Sequence, residues 1–459
     1  MSVFSLSNLK KTWYYLQKNG IRNAVWAVLE RIGQEQEVYT WQEPDERTLS
    51  FQREHSASLR ISIVVPAYRT KKEHLEAMLN SVSKQSYPHW ELIVADAGGT
   101  AESVQAWAKK NGICLRKAAD ASNLAEWMDQ SIMLCTLSEN KGISANTNAG
   151  IELAAGDAVG LLDHDDLLTA NALWEMADCL EKEKKRGKQK LVLFSDEDKC
   201  DKAASRFYEP NFKPDFDGEL LLTNNYICHF TVIETAFLKE LKLRSGFDGA
   251  QDYDLMLRAY AAGGQFVHVP KVLYHWRCHE ASTASNPQSK RYAYEAGQRA
   301  LEDYCLRKGW KATVSGLKHL GFYREDYEDS VFCQRPEIGI WAKPLPGGRD
   351  IFGIRHPKGF LVSGLYENDG SMRYAGLRKG YSGPMHRAAL QQSAPAADLR
   401  SMVVCSALKE RYAQTIAELK EACQGLPTAA QETKILQKSM EFCKEATAAG
   451  YGILWDPQA

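Results

Sequence analysis

The chain is 459 residues long, 44% hydrophobic and 25% charged, with a formal net charge of −1. Such a composition can bury one large core and a smaller one, and its near-neutrality leaves no electrostatic footprint for a nucleic-acid partner. The 11 cysteines are scattered, with no Cys-x-x-Cys pair, no signal peptide and no long apolar span, which predicts a cytoplasmic protein without structural zinc.

At the start of the chain Leu9, Trp13, Leu16, Ile21, Val25, Trp26, Leu29 and Ile32 recur at helical spacing, with Lys10, Lys11, Lys18, Arg22 and Arg31 between them. A basic amphipathic segment of this kind, split near Gly20, either docks on the protein's own body or makes peripheral contact with the inner face of a membrane. Tyr39 and Trp41 then open a polar linker. The reading is therefore 1–59 as N-terminal helices and linker, 60–330 as the main domain, and 331–459 as a smaller C-terminal α/β or α+β domain.

From Ile61 to Tyr68 a β-rich run stops at Pro66-Ala67-Tyr68, and a helix is predicted from about Lys71 to Lys84. The next strand, Glu91 to Asp96, ends in an acid followed by Gly98-Gly99, which allows backbone to approach a ligand closely. A helix is predicted from Asn140 to Ala155, with Asn140, Gly142, Asn146 and Asn148 near its start. The strand after it ends at Asp163, inside Leu161-Leu162-Asp163-His164-Asp165-Asp166. The alternation βαβαβ predicts a doubly wound, mostly parallel sheet with its crevice beyond the strand ends, at Tyr68, Asp96 and Asp163 to Asp165. Carboxylates crowded there favour a hard divalent cation; a solvated acidic turn is the alternative.

Taken together, these motifs resemble a family 2 glycosyltransferase of the GT-A fold over roughly Arg60 to Arg324. The resemblance implies that a nucleotide-sugar donor is held by Pro66, Ala67, Tyr68, Asp96, Asn140, Gly142, Asn146, Asp163 and His164. The family usually has a second acid after the one like Asp96, where this chain has Ala97-Gly98-Gly99, so the nucleotide base stays open. Asp163-His164-Asp165 looks like the family's metal motif, which implies Mg²⁺ or Mn²⁺ held by Asp165 and Asp163. The family's Arg-x-His pattern maps onto Arg277 and His279 and adds His279 as a metal ligand, with His275 and Trp276 beside it read as packing. Gly249-Ala250-Gln251-Asp252-Tyr253-Asp254 resembles the catalytic-base motif and implies Asp252 as base. Asp254 competes for notice, but an acid in a helix's first turn is favoured by the helix dipole alone. Ser195-Asp196-Glu197-Asp198-Lys199 is an acidic opening of a strand, bordering the acceptor side or simply a charged turn, and receives no chemistry.

The C-terminal part contains an internal echo. Ala259 to Pro270 aligns without gaps on Ala446 to Pro457, each a helix end, a glycine turn and a strand, and the register puts Ser439 opposite Asp252. From about Pro336 the chain thus resembles the later half of a second, degenerate glycosyltransferase domain that has lost the base. The expected activity is inverting, metal-dependent sugar transfer from a nucleotide sugar to a glycan or lipid-linked glycan acceptor in surface-polysaccharide synthesis. A non-catalytic glycan- or nucleotide-binding protein is the alternative. A sugar nucleotidyltransferase is disfavoured, because Pro66-Ala67-Tyr68-Arg69-Thr70 is not a glycine-rich phosphate loop.

Overall fold

The structure is a computed structural model that describes residues 39–120, 128–278, 291–317, 320–342, 365–366, 372–373, 390–394, 396–397, 402–414, 417–418 and 429–456. Residues 1–42 and 43–459 form two separate units. The amphipathic helices expected before residue 39, and His279, lie outside the described residues.

The linker expected before Leu59 contains a helix, Glu46–Glu54, whose N-terminal Asp45 accepts from the Thr48 N–H at 2.7 Å. No apolar periodicity announces it. The helix docks through a polar contact, with buried Gln52 accepting from Ser86 Oγ at 2.7 Å.

The main sheet is built from β1 (Ile61–Ala67), β2 (Trp90–Asp96), β3 (Cys114–Lys117), β4 (Ser131–Thr136), β5 (Ala158–Leu161), β6 (Leu167–Leu168), β7 (Leu191–Cys200), β8 (Phe207–Asn211), β9 (Thr231–Glu234) and β10 (Gln265–Arg277). Their order is β3-β4-β2-β1-β5-β9-β7-β10-β6, with β8 on β7. β1 pairs in parallel with β2 and β5, β2 with β4, β4 with β3, and β7 with β10. β9 runs against β5 and β7. The unbroken apolar run of β1 reflects burial on both faces, as in parallel sheets. Ile61, Ile63 and Val65 pack on one side, while Val64 joins Ile93 and Val159 on the other.

Register decides where the crevice lies. Ala67 pairs with Asp96 and Val64 with Leu161, so the residues after β1, β2 and β5 leave the sheet along one carboxyl edge. β5 stops at Leu161, two residues short of the expected Asp163, and the acids form a tight turn in which Asp166 N donates to Asp163 O at 3.3 Å. The helix expected over Asn140–Ala155 spans Ile143–Leu153, leaving Asn140 and Gly142 ahead of its first turn.

Beyond a hairpin, β11 (Ala312–Gly316) with β12 (Tyr323–Tyr327), comes β13 (Ile338–Ala342). A short pair, β14 (Leu365–Tyr366) with β15 (Met372–Arg373), precedes β16 (Gln392–Ser393), β17 (Met402–Val404) and β18 (Gly452–Trp455), and the second sheet has the order β16-β18-β13-β17. This sheet repeats the register of the first. Val192 of β7 pairs with Phe266 in parallel and Ile233 antiparallel; Ile340 of β13 pairs with Ile453 in parallel and Val404 antiparallel. Helices start two residues on in both copies, at Thr235 and Ser406.

The echoed turn also recurs in space. Gly263 and Gly450 stand at φ +78° and +91°, where glycine has no steric penalty, and Gly264 N and Tyr451 N bond back to Ala259 O and Ala446 O. Ser439, the counterpart of Asp252, is buried in the helix Ala429–Ala448.

Candidate active site

The crevice gathers residues from five segments. Tyr68, exposed at the end of β1, leans against Gly98, from which a Cβ would lie 3.6 Å from its ring. Asp96 is buried and turned onto its own loop: its carboxylate accepts from Gly98 N at 3.0 Å, Thr100 N at 3.2 Å and Ala101 N at 2.9 Å. A carboxylate taking several backbone amides fixes the Gly98-Gly99 turn and the start of the helix Ala101–Asn111.

The asparagine cluster is likewise engaged locally. Asn140 Oδ1 accepts from Gly142 N at 3.0 Å and from Asn146 Nδ2 at 2.8 Å, and Asn146 Oδ1 accepts from Lys141 N. Gly142 stands at φ +93°, and a Cβ on it would meet Asp248 Oδ2 at 2.3 Å. These residues therefore seat the loop of Asp248, four residues before Asp252.

Asp163 keeps 43% of its side-chain surface, with His229 Nε2 at 3.9 Å. Enclosure, then the neighbouring Asp165 and Asp252 carboxylates, push its carboxyl above the ordinary range, against the opposing pull of His229 and His164. That mutual influence puts the acidic turn and the Asp252 motif in one electrostatic field. Asp166 points the other way, fully enclosed, accepting from Tyr274 OH at 2.5 Å and Arg277 N at 2.7 Å. Burial, then Asp165 and Asp163, raise its carboxyl well above the usual range. Arg277, also buried, donates through Nε to the Asp165 carbonyl at 2.5 Å and ties the turn to β10.

Asp252 opens the helix Gln251–Ala261 and accepts from Asn225 Nδ2 at 2.9 Å and from Tyr253 N at 2.8 Å.

The Ser195–Lys199 acids correct the charged-turn reading. They continue β7, buried, each with partners from distant segments. Asp196 accepts from Lys213 N at 2.8 Å and meets His268 Nε2 at 2.9 Å, while Asp198 meets His275 Nδ1 at 2.5 Å. His275 is thus held by Asp198 inside the sheet, and its ring lies against Phe207. Glu197 contacts Lys213 Nζ at 3.6 Å and His229 Nδ1 at 3.7 Å. Burial alone would raise the Glu197 carboxyl, but Lys213 and His229 hold it down to about 2. Burial would lower His229, whereas Glu197 and Asp163 lift it to about 9. His229, Glu197, Lys213 and Asn225 are candidate site residues that sequence reasoning missed; the signal was the polar run Asn224-Asn225 and His229 just ahead of β9.

Asp163 and Asp165 carry oxygen donors of the kind a hard divalent cation takes. Among the described residues no three His, Cys, Asp or Glu side chains converge as a complete metal cage. No helix among them is long and apolar enough to cross a membrane.

Residues 62–241 match the family described as Glycosyl transferase family 2. The chain is 36% identical over 255 residues to the uncharacterized protein y4gI of Sinorhizobium fredii, covering 55% of this chain and 26% of that protein. It is 34% identical over 256 residues to the O-antigen biosynthesis protein RfbC of Myxococcus xanthus, covering 56% and 19%. With the amylovoran biosynthesis glycosyltransferase AmsB of Erwinia amylovora the identity is 27% over 231 residues, covering 47% and 70%. The chain thus spans about a quarter or less of the first two relatives' length. Residues 62–241, with their α/β sheet and acidic crevice, are thus similar to the family 2 glycosyltransferases.

Proposed function

We propose that the protein is an inverting, metal-dependent glycosyltransferase that moves a sugar from a nucleotide-sugar donor to a glycan acceptor in surface-polysaccharide synthesis. The observation that carries this reading is geometric: His229 stands 3.9 Å from Asp163, and Asn225, four residues before His229, donates to Asp252 at 2.9 Å, so one short segment touches both the acidic turn and the base candidate. The names of the M. xanthus and E. amylovora relatives support the polysaccharide class.

Transfer breaks the bond between sugar and diphosphate and leaves charge on the departing phosphate. A divalent cation held by Asp163 and Asp165 would neutralise that charge as a Lewis acid. Asp252 takes the proton of the acceptor hydroxyl as its oxygen attacks the anomeric carbon from the face opposite the leaving group. Asn225 orients Asp252 by donating to its Oδ2. Tyr68, against Gly98, offers an aromatic face for the nucleotide base, and Asp96 keeps the Gly98-Gly99 backbone in place beside it. A lipid-linked acceptor would bring the basic segment between Lys10 and Arg31 to the cytoplasmic face of the membrane.

The test is a thermal-shift screen of UDP-, dTDP-, GDP- and CDP-sugars with and without Mn²⁺. A ligand that binds only the folded state must raise the melting temperature. A metal-dependent rise with one nucleotide class, lost in Asp165→Ala, supports the donor site and selects the donor for transfer assays. No rise with any nucleotide and metal would sink the reading.

A further inference from the structure

The segment from Asp217 to Tyr226 joins two regions that the chain places far apart in sequence. At its start the Asp217 carboxylate caps the short helix Gly218–Leu221 through Glu219 N at 3.0 Å. The same carboxylate accepts from Ser393 N at 3.0 Å and Ser393 Oγ at 2.8 Å, on β16 of the C-terminal sheet. One residue into the helix, Glu219 receives both arms of the Arg335 guanidinium, at 2.5 and 2.6 Å. Arg335 leads into β13, is 3% exposed, and lies over the Trp310 ring. At the far end of the segment Asn225 donates to Asp252 Oδ2 at 2.9 Å. Between these points Leu221 O accepts from Tyr253 OH at 2.7 Å, and Tyr253 is the residue after Asp252.

We propose that the C-terminal half-repeat is a clamp for the catalytic base: Arg335 and Ser393 hold the 217–226 segment so that Asn225 and Leu221 present Asp252 in one orientation. The copy has no carboxylate at Ser439, the position matching Asp252, yet it grips the piece of the first copy that steadies the base. Arg335 is a positioning residue, because it touches Glu219 and reaches the reacting atoms only through the segment. A planar, bidentate guanidinium suits this purpose, since it fixes direction as well as distance, which an ammonium does not. Displacing a reacting group by about 1 Å can cost on the order of 10²-fold in rate. The inference rests on Asp252 being the base.

The test uses the full chain and the donor selected by thermal shift, with Arg335→Lys, Asn225→Ala and the double variant. Arg335→Lys is expected to raise amide exchange across 217–226 by about 10-fold while the amides of β1 and β2 stay protected. Its kcat should fall by about 10-fold with the donor KM within about twofold. Asn225→Ala should lower kcat by about 10- to 100-fold, with the donor KM within about twofold. Added to Asn225→Ala, Arg335→Lys should cost less than about a further twofold, since both act on one chain of contacts.

Multiplicative losses in the double variant, or unchanged exchange across 217–226 with normal kcat, would overturn the clamp. If Arg335→Lys does not melt cooperatively, Ser393→Ala enters the same cycle and decides in its place. Asp252→Asn separates the two readings. Full activity in that variant removes the base assignment itself, whereas an inactive Asp252→Asn beside independent Arg335 and Asn225 effects removes only the clamp.

Discussion

Asp252 and Asp254 stand two residues apart in one helical turn and face opposite surroundings. Asp254 is 1% exposed and lies between two arginines, accepting from Arg258 Nε at 2.9 Å and Arg244 Nε at 3.1 Å. Among the described residues Asp252 has no ion-pair partner, and it accepts a hydrogen bond from the Asn225 amide. A buried ion pair holds a fold in register, whereas a carboxylate bonded only to neutral donors stays free to take a proton.

Asp252→Asn should therefore lower kcat by about 10²- to 10⁴-fold, the usual contribution of a positioned base. The Mn²⁺-dependent thermal shift with the donor should be retained. Loss of donor binding together with activity would assign Asp252 to the donor side.

Asp254→Asn reverses that pattern. Leaving Arg244 and Arg258 without their shared carboxylate should cost about 3–5 kcal/mol, the usual consequence of breaking a buried pair. Denaturant melts should show the loss, and activity at a temperature where the variant is folded should stay within a few-fold of the parent.

Gly142→Ala tests how the asparagine loop is seated against the base loop. A Cβ would fall 2.3 Å from Asp248 Oδ2 at a φ of +93°, so the variant should lose about 1–3 kcal/mol of stability. An unchanged melt would mean that the Asp248 loop is not held there.

Glu325 carries the pH prediction. Burial, then the nearby Glu219, push its carboxyl up to about 8 from an ordinary 4.5. The folded state therefore keeps a proton that the unfolded state releases above 4.5, so this stabilisation is present below pH 4.5 and is lost as pH rises through about 8. For one proton the slope is at most about 1.4 kcal/mol per pH unit. Glu325→Gln should flatten the stability profile over that range; an unchanged slope would show that other groups set it.

The sheet and the crevice were legible because a parallel strand must be apolar throughout and release its polar residues at one edge. Ile61–Ala67 and Trp90–Asp96 show that pattern directly, and the glycines at 263 and 450 marked the repeated turn. What escaped were groups whose reason for being there lies far off in sequence. Glu197 reads as a turn acid until Lys213 and His229 are seen beside it. Gln52 reads as linker until Ser86 is found on it. Asn225 is marked only by the polar run it shares with Asn224, because its meaning is one hydrogen bond to Asp252 across 27 residues.

β9 gives the sheet a history as well as a shape. Its partner β5 ends at Leu161, but β9 itself begins at Thr231, so the ribosome adds some 70 residues before the β5 edge can be covered. At about 5–20 residues per second the nascent chain spends roughly 4–14 s with that edge bare. During this interval Ala158 and Val159 present unpaired backbone beside an apolar face, a template on which a neighbouring nascent chain can add its own strand. Any truncation between Leu161 and Thr231 makes that interval permanent, and such fragments should self-associate more than chains that reach β9.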